Sequence, residues 1–414
     1  MVLACLFSVS QPRRKTVPAR LKVMTDKAVC VMLVAAEASG DTLGAGLARV
    51  LRARLGEGVR FVGVGGAKMA EQGVVSPFDI AELSILGLFE GVKAYGRVLR
   101  RVDETAALAA REKPDIAVLI DSWGFTLRVA ARLRKQTPDM PLIKYVGPQV
   151  WASRPGRAKT LAARVDHLLT IHAFDAPFFE KEGLGVTFVG NTALATRFED
   201  SRPDRLRAHI GAGPDDPILL VLPGSRPAEI EQVLPQFEQA LRQIKGIMPN
   251  LHIVVPAAST VADTVAAKVA GWPFRAHVIL DEALKRDAMC AATVALACSG
   301  TVTTELALAG CPMVVGYRIG AITYAILRHL MRTPYVTLFN IAAGRLVAPE
   351  FLQDRCTGPL LAEAVLALLN DEPVRKRQIA DQFAALDRMG RGGPDPAERA
   401  ADVVMDYIEK TRHR

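Results

Sequence analysis

The sequence predicts an α/β protein built as two doubly wound halves, each a parallel sheet covered by helices on both faces. Three observations carry this. Apolar runs of β type recur along the chain without polar alternation, as strands buried on both faces require. Segments of helical period separate them, so sequential strands are joined by crossovers. An interval at 196–217, rich in charge, Gly and Pro, splits the series in two like an interdomain connection. At 414 residues, 50% hydrophobic and 23% charged, the chain is long enough for two cores and too apolar for disorder.

In chain order, the expected strands of the first half (28–195) are 30–36, 60–64, 116–120, 142–146, 167–171 and 187–189. Those of the second half (196–360) are 218–222, 252–255, 277–280, 293–297 and 313–316. Residues 361–414 alternate helical segments with breaks at Pro373 and at 390–396, and read as a helical tail packing back over both halves. Residues 1–27 are expected to be a disordered extension or to precede the true start, Met24, because a short apolar stretch followed by Arg13, Arg14 and Lys15 reverses the order of a secretory signal.

In doubly wound sheets ligands bind beyond the carboxyl ends of the strands. That rule selects Glu37-Ala38-Ser39-Gly40-Asp41, Gly65-Gly66, Asp121-Ser122, Gly147-Pro148-Gln149, Pro223-Gly224-Ser225-Arg226 and Ser299-Gly300-Thr301, all able to line one cleft. The last is the most informative. An apolar run ends at Ser299, and 303–309 reads as a helix with Glu305 in its first turn. Free N–H groups and the positive end of the helix dipole suit a phosphate or diphosphate there, and a carboxylate one turn in suits sugar hydroxyls. An ordinary βα turn with a helix-stabilising Glu fits that stretch equally well. Gly224, Ser225 and Arg226 form a second phosphate-type loop, with a glycine for close approach and a forked cation for phosphate oxygens. Two such loops in one half favour the ligand reading over a plain turn with an exposed Arg.

Asp121 closes a fully apolar strand and is placed to accept a proton from a substrate hydroxyl; a helix N-cap explains it as well. Ser39 and Asp41, at the start of an amphipathic helix, admit capping and ligand roles together. No Asp-x-Asp and no His spacing of metal-ligand type occurs, so a mechanism without metal or other cofactor is expected. Gly-x-Ser-x-Gly is absent too, against a serine hydrolase.

The net charge of +9 suits anionic phosphates or an anionic membrane surface; without aromatic-interleaved basic runs or zinc-finger spacing, nucleic acid ranks last. Six scattered cysteines without C-x-x-C read as reduced thiols of a cytoplasmic protein. No uncharged apolar run reaches the roughly 18–20 residues of a membrane span. The segment 83–102 instead sets Leu86, Leu88, Phe89, Val92, Tyr95, Val98 and Leu99 beside Lys93, Arg97, Arg100 and Arg101, as an interfacial helix among anionic headgroups would. A core helix with a solvated basic face has the same pattern. The stretch 322–332 is a second candidate.

AEASGDTLGAGL, FVGVGGAKM, the Ile120-Asp121 strand end, LLVLPGSRPAEIEQVLP, SGTVTTELALAGCPMVVGYR and TPYVTLFNIAAGRLVAPEFLQ together resemble the lipid-A-disaccharide synthase family, from about Cys30 to the tail. The resemblance implies a GT-B fold and inverting transfer from UDP-2,3-diacylglucosamine to 2,3-diacylglucosamine 1-phosphate, giving a β-1,6-linked disaccharide and UDP. It implies that Gly224, Ser225, Arg226, Ser299, Gly300, Thr301, Glu305, Asn340 and Arg345 serve the donor and that Asp121, with Glu37, is a candidate catalytic carboxylate. Ser39, Gly40 and Asp41 then fall on the acceptor side, and 86–99 matches the family's membrane and acyl-chain segment, implying a peripheral place on the inner membrane. A homodimer is left open. The departures cluster on the acceptor side. Gly124 stands where the family has a second Asp, Ser153 where it has Trp, Asn191 where it has His and Ala195 where it has Asp. They admit a divergent paralogue with another acceptor or no catalysis. A nucleotide-sugar 2-epimerase of similar fold is a third reading, against which the acyl-chain segment counts.

Overall fold

A computed structural model describes residues 28–84, 91–320, 324–325 and 331–412. Its first sheet holds β1 (Val29–Ala35), β2 (Val59–Val64), β3 (Ile116–Ile120), β4 (Leu142–Tyr145), β5 (His167–Thr170) and β6 (Gly185–Phe188) in the order β2-β1-β3-β4-β5-β6. The second holds β7 (Ile218–Leu222), β8 (His252–Pro256), β9 (His277–Ile279), β10 (Val294–Cys298), β11 (Met313–Tyr317) and β12 (Glu350–Leu352) in the order β12-β11-β10-β7-β8-β9. Every neighbouring pair is parallel.

Successive side chains of a strand face opposite ways. Met32 and Val34 therefore enter one core of the first sheet while Val31 and Leu33 enter the other. Leu219 and Val221 are divided from Ile218 and Leu220 in the same manner. Continuous apolar runs are the consequence of helices on both faces, as the sequence implied.

The tail expected at 361–414 is divided between the halves. Its first helix begins earlier, at Gly358, and packs through Leu361, Ala362 and Val365 into the core beneath the long helix Pro227–Ile247. Its last, Pro396–Arg412, returns to the first sheet and buries Ala397, Ala400, Ala401, Val404 and Ile408 beside Leu47 and Leu51. Arg54 ties that contact through Glu398 and Asp402. Two further differences are local. The helix expected at 303–309 starts at Thr301, and β12, three half-buried residues at a sheet edge, has too short an apolar pattern to be read. The expected extension at 1–27 lies outside the described residues.

Candidate active site

Both sheets reverse strand order at one point, between β1 and β3 in the first and between β7 and β10 in the second. Such switch points open crevices at the carboxyl ends of the strands. The sequence candidates lie there: Glu37, Ser39 and Gly40 after β1, Asp121 after β3, Gly224 to Arg226 after β7, and Ser299 to Thr301 after β10.

At the first crevice Ser39 Oγ donates to Asp121 Oδ2 at 2.9 Å, aiming the carboxylate. Gly40 is packed so closely against Ala35 that an added Cβ would come within 3.2 Å. Asp121 and Ser122 both hold left-handed backbone, φ 49° and 37°. For non-glycine residues this is strained, and surrounding contacts must impose it. The helix Trp123–Gln136 begins immediately after, and Ser122 makes no side-chain cap to it. Asp121 is therefore not the helix cap that the sequence also allowed.

Lys144, which the sequence reading missed, supplies the constraint. It stands on β4, 1% exposed, and its ammonium donates to the Asp121 carbonyl and, at 2.9 Å, to Thr126 Oγ1. Burial pushes the amine down to about 7, while the charges of Asp121 and Glu37 pull it back up. The unfolded chain keeps this proton up to the ordinary value of 10.5. Between about 7 and 10.5 the unfolded state binds more protons, so Lys144 makes stability rise with pH in that window. Lys144→Met is expected to flatten this rise in denaturant melts at several pH values while lowering turnover, because the Asp121 turn loses its anchor.

At the second crevice Gly224, Ser225, Arg226, Ser299, Gly300, Thr301 and Glu305 line one cavity of about 260 Å³. Gly224 has φ 112°, and a Cβ there would meet Glu229 Oε2 at 2.9 Å. Arg226 is exposed and held by Glu229 at 2.8 Å. Glu305 lies 3.9 Å from Lys285, which also lines the cavity. Burial pushes the Cys298 thiol at its wall up to about 12, so it presents a neutral surface. Ser299 Oγ donates to the Val336 carbonyl, fastening the β10 turn to the 336–340 segment.

Other candidates serve the fold. Asp41 is buried and accepts from the backbone N–H of Gly66, Lys68 and Met69, capping the neighbouring helix Ala67–Glu71. Asn340 is fully buried and bonded to Val347, Ala348 and Glu350, so it offers nothing to a donor. Glu350, unread in the sequence, organises that segment by accepting also from Val336 and Thr337. Arg345 pairs with Asp381 at 2.8 Å, and neither it nor Asn340 lines the cavity. In the expected interfacial segment, Val98 is buried in the core, which removes it from any membrane face. Tyr95 is exposed beneath Arg128, and Leu99 is half-buried. Leu86, Leu88 and Phe89 lie outside the described residues, as does the Val92 side chain and most of 322–332.

The departures fall apart spatially. Asn191 caps the turn Thr192–Ala195 through Ala193 N–H at 2.9 Å, and lines, with Ala195, a separate cavity against Gly390 to Pro396 where the chain crosses between halves. Gly124 and Ser153 remain beside Asp121 and on the β4 loop.

A family model described as lipid-A-disaccharide synthetase matches residues 31–392. A lipid-A-disaccharide synthase from Rhodospirillum centenum is 42% identical over 384 residues, covering 93% of this chain and 96% of the relative. One from Nitrobacter hamburgensis is 42% identical, covering 92% and 96%. Among solved structures, the UDP co-structure of S. aureus MnaA aligns over 93% of this chain and 97% of its own, with TM-score 0.59 and 14% identity. The glycotransferase of kitacinnamycin aligns over 92% and 100%, with TM-score 0.57 and 17% identity. At such identities the structural likeness speaks for the two-domain GT-B fold alone.

Proposed function

The chain belongs to the lipid-A-disaccharide synthase family and is a glycosyltransferase of lipid A biosynthesis, and we propose that its two switch-point crevices divide that reaction between donor and acceptor. The enzyme condenses UDP-2,3-diacylglucosamine with 2,3-diacylglucosamine 1-phosphate, giving the disaccharide 1-phosphate and UDP. The observation that carries the division is the gathering of both phosphate-type loops and Glu305 around one cavity in the second half, while Asp121, bonded to Ser39, stands at the opposite switch point.

In this reading the N-terminal turn of helix Thr301–Leu308 and the Arg226 guanidinium hold the diphosphate, and Glu305 accepts from the ribose hydroxyls. Asp121, aimed by Ser39, takes the proton of the acceptor 6-hydroxyl as its oxygen bonds to the anomeric carbon from the face opposite UDP. The sugar–diphosphate bond breaks, and its electrons leave as negative charge on UDP, facing the helix terminus and Arg226. Glu37 joins Asp121 in the field at Lys144 and supports the carboxylate side of the crevice. The residues named provide this chemistry without a metal, so turnover is expected to persist in EDTA. Among the described residues no helix is long and apolar enough to cross a membrane. Peripheral contact through the basic helix Gly91–Glu112 is part of the proposal, supported by exposed Tyr95 and Arg100.

The test separates the crevices. Arg226→Ala is expected to raise the KM for the UDP-sugar by about ten- to a hundredfold, the worth of hydrogen bonds to a charged group, with a smaller change in kcat. Calorimetric titration should show UDP binding weakened in Arg226→Ala and intact in Asp121→Ala. Loss of UDP binding in Asp121→Ala would contradict the division.

A further inference from the structure

The segment after β4 carries two arginines outside the donor crevice, Arg154 in the loop and Arg157 in the first turn of the helix Gly156–Ala162. Arg157 lies over the Trp123 ring, its guanidinium carbon 5.2 Å from the centroid. Trp123 is the second residue after Asp121 and opens the helix that follows it. Arg154 has left-handed backbone, φ 51°, three residues before Arg157. Burial and the Arg154 charge both lower the proton affinity of Arg157, so the two cations are close enough to repel. Among the described residues neither forms an ion pair, whereas Arg101, Arg132 and Arg134 of the same half are each tied to a carboxylate. The loop faces the cleft: Ala152 accepts from the Arg332 N–H of the second half at 3.1 Å. Its neighbour in the sheet is the Asp121 turn, for Asp121 N–H donates to Tyr145, the last residue of β4, at 2.8 Å.

Two unneutralised guanidiniums, one braced on an aromatic face, are an arrangement for a phosphate, which satisfies both forks at once. Resting on the acceptor assignment above, we propose that Arg154 and Arg157 form the subsite for the acceptor's 1-phosphate. The chemistry of the acceptor fits. Its reacting 6-hydroxymethyl group and its 1-phosphate flank the ring oxygen of the same pyranose, so a phosphate on Arg157 over Trp123 turns the 6-hydroxyl toward Asp121. The pair selects a phosphorylated sugar as acceptor over a neutral one.

The experiment uses the full-length enzyme, Arg154→Gln, Arg157→Gln and Arg157→Lys, the natural donor, and two acceptors: 2,3-diacylglucosamine 1-phosphate and its 1-O-methyl glycoside. Both Gln variants are expected to lose about ten- to a hundredfold in kcat/KM on the phosphorylated acceptor. On the neutral acceptor they should match the wild type, and donor KM should not change. Arg157→Lys, which keeps the charge and loses the fork and the stack, should fall between. Binding to phosphatidylglycerol vesicles should be unaltered, separating the acceptor phosphate from lipid headgroups as the anion. Equal losses on both acceptors, a raised donor KM, or weakened vesicle binding with no acceptor discrimination would overturn the subsite. A wild type that transfers to the phosphorylated acceptor while the variants do so equally well overturns the subsite alone. A wild type that transfers to neither overturns the glycosyl-transfer reading beneath it.

Discussion

Asp121→Asn is expected to lower kcat by about a hundred- to ten-thousandfold, the range for losing a positioned general base, while the KM for the UDP-sugar stays within about twofold. Asn keeps the shape, and its carbonyl oxygen still accepts from Ser39. The left-handed turn and its Lys144 anchor involve the backbone carbonyl and survive the exchange. What disappears is the capacity to take the acceptor's proton. Steady-state kinetics with each substrate varied in turn, together with an unchanged melting temperature, would assign the loss to chemistry. A rise in donor KM with kcat preserved would place Asp121 on the wrong side of the cleft.

Gly63→Ala is expected to leave little folded protein. Gly63 lies on β2 opposite Leu33 of β1, at φ 146°, and a Cβ there would stand 1.8 Å from the Leu33 carbonyl oxygen. Neither residue can yield without breaking the β1–β2 pairing next to the switch point. The penalty should exceed about 4 kcal/mol, in the range of the most severe single substitutions and close to the whole stability of a marginal domain. Soluble expression and circular dichroism read it directly. A well-folded Gly63→Ala protein would show that the β1–β2 register differs from the one described.

The strands were legible because burial on both faces writes them as unbroken apolar runs, and their ends, where Glu37, Asp121, Arg226 and Ser299 sit, were legible with them. β12 was not, since three half-buried edge residues carry no such run. Local sequence also hid the partners. Nothing around Lys144 marks it as buried, because its contacts are 18 and 23 residues away along the chain. Polar residues at strand ends or in family-like motifs invite a ligand role, for Asp41 alongside capping and for Asn340 through the family resemblance. Only the structure shows their hydrogen-bonding capacity taken up, by backbone groups for Asp41 and by backbone groups and Glu350 for Asn340. The helix register at Thr301 was missed by two residues, since Ser, Thr and Gly populate turns and helix starts alike.

Asn191 and Ala195, which raised a divergent paralogue as an alternative, line the interdomain crossing rather than the Asp121 crevice. Gly124 and Ser153 stay close in sequence to Asp121 and to Arg154, next to the proposed acceptor subsite.

In the proposed reaction UDP leaves only when an acylated glucosamine phosphate attacks. Its most direct measurement is UDP release from UDP-2,3-diacylglucosamine, with EDTA present, with and without 2,3-diacylglucosamine 1-phosphate. Release is expected to depend on the acceptor, to equal the disaccharide formed and to be abolished in Asp121→Asn. Release without acceptor, or turnover of UDP-N-acetylglucosamine alone, would contradict it.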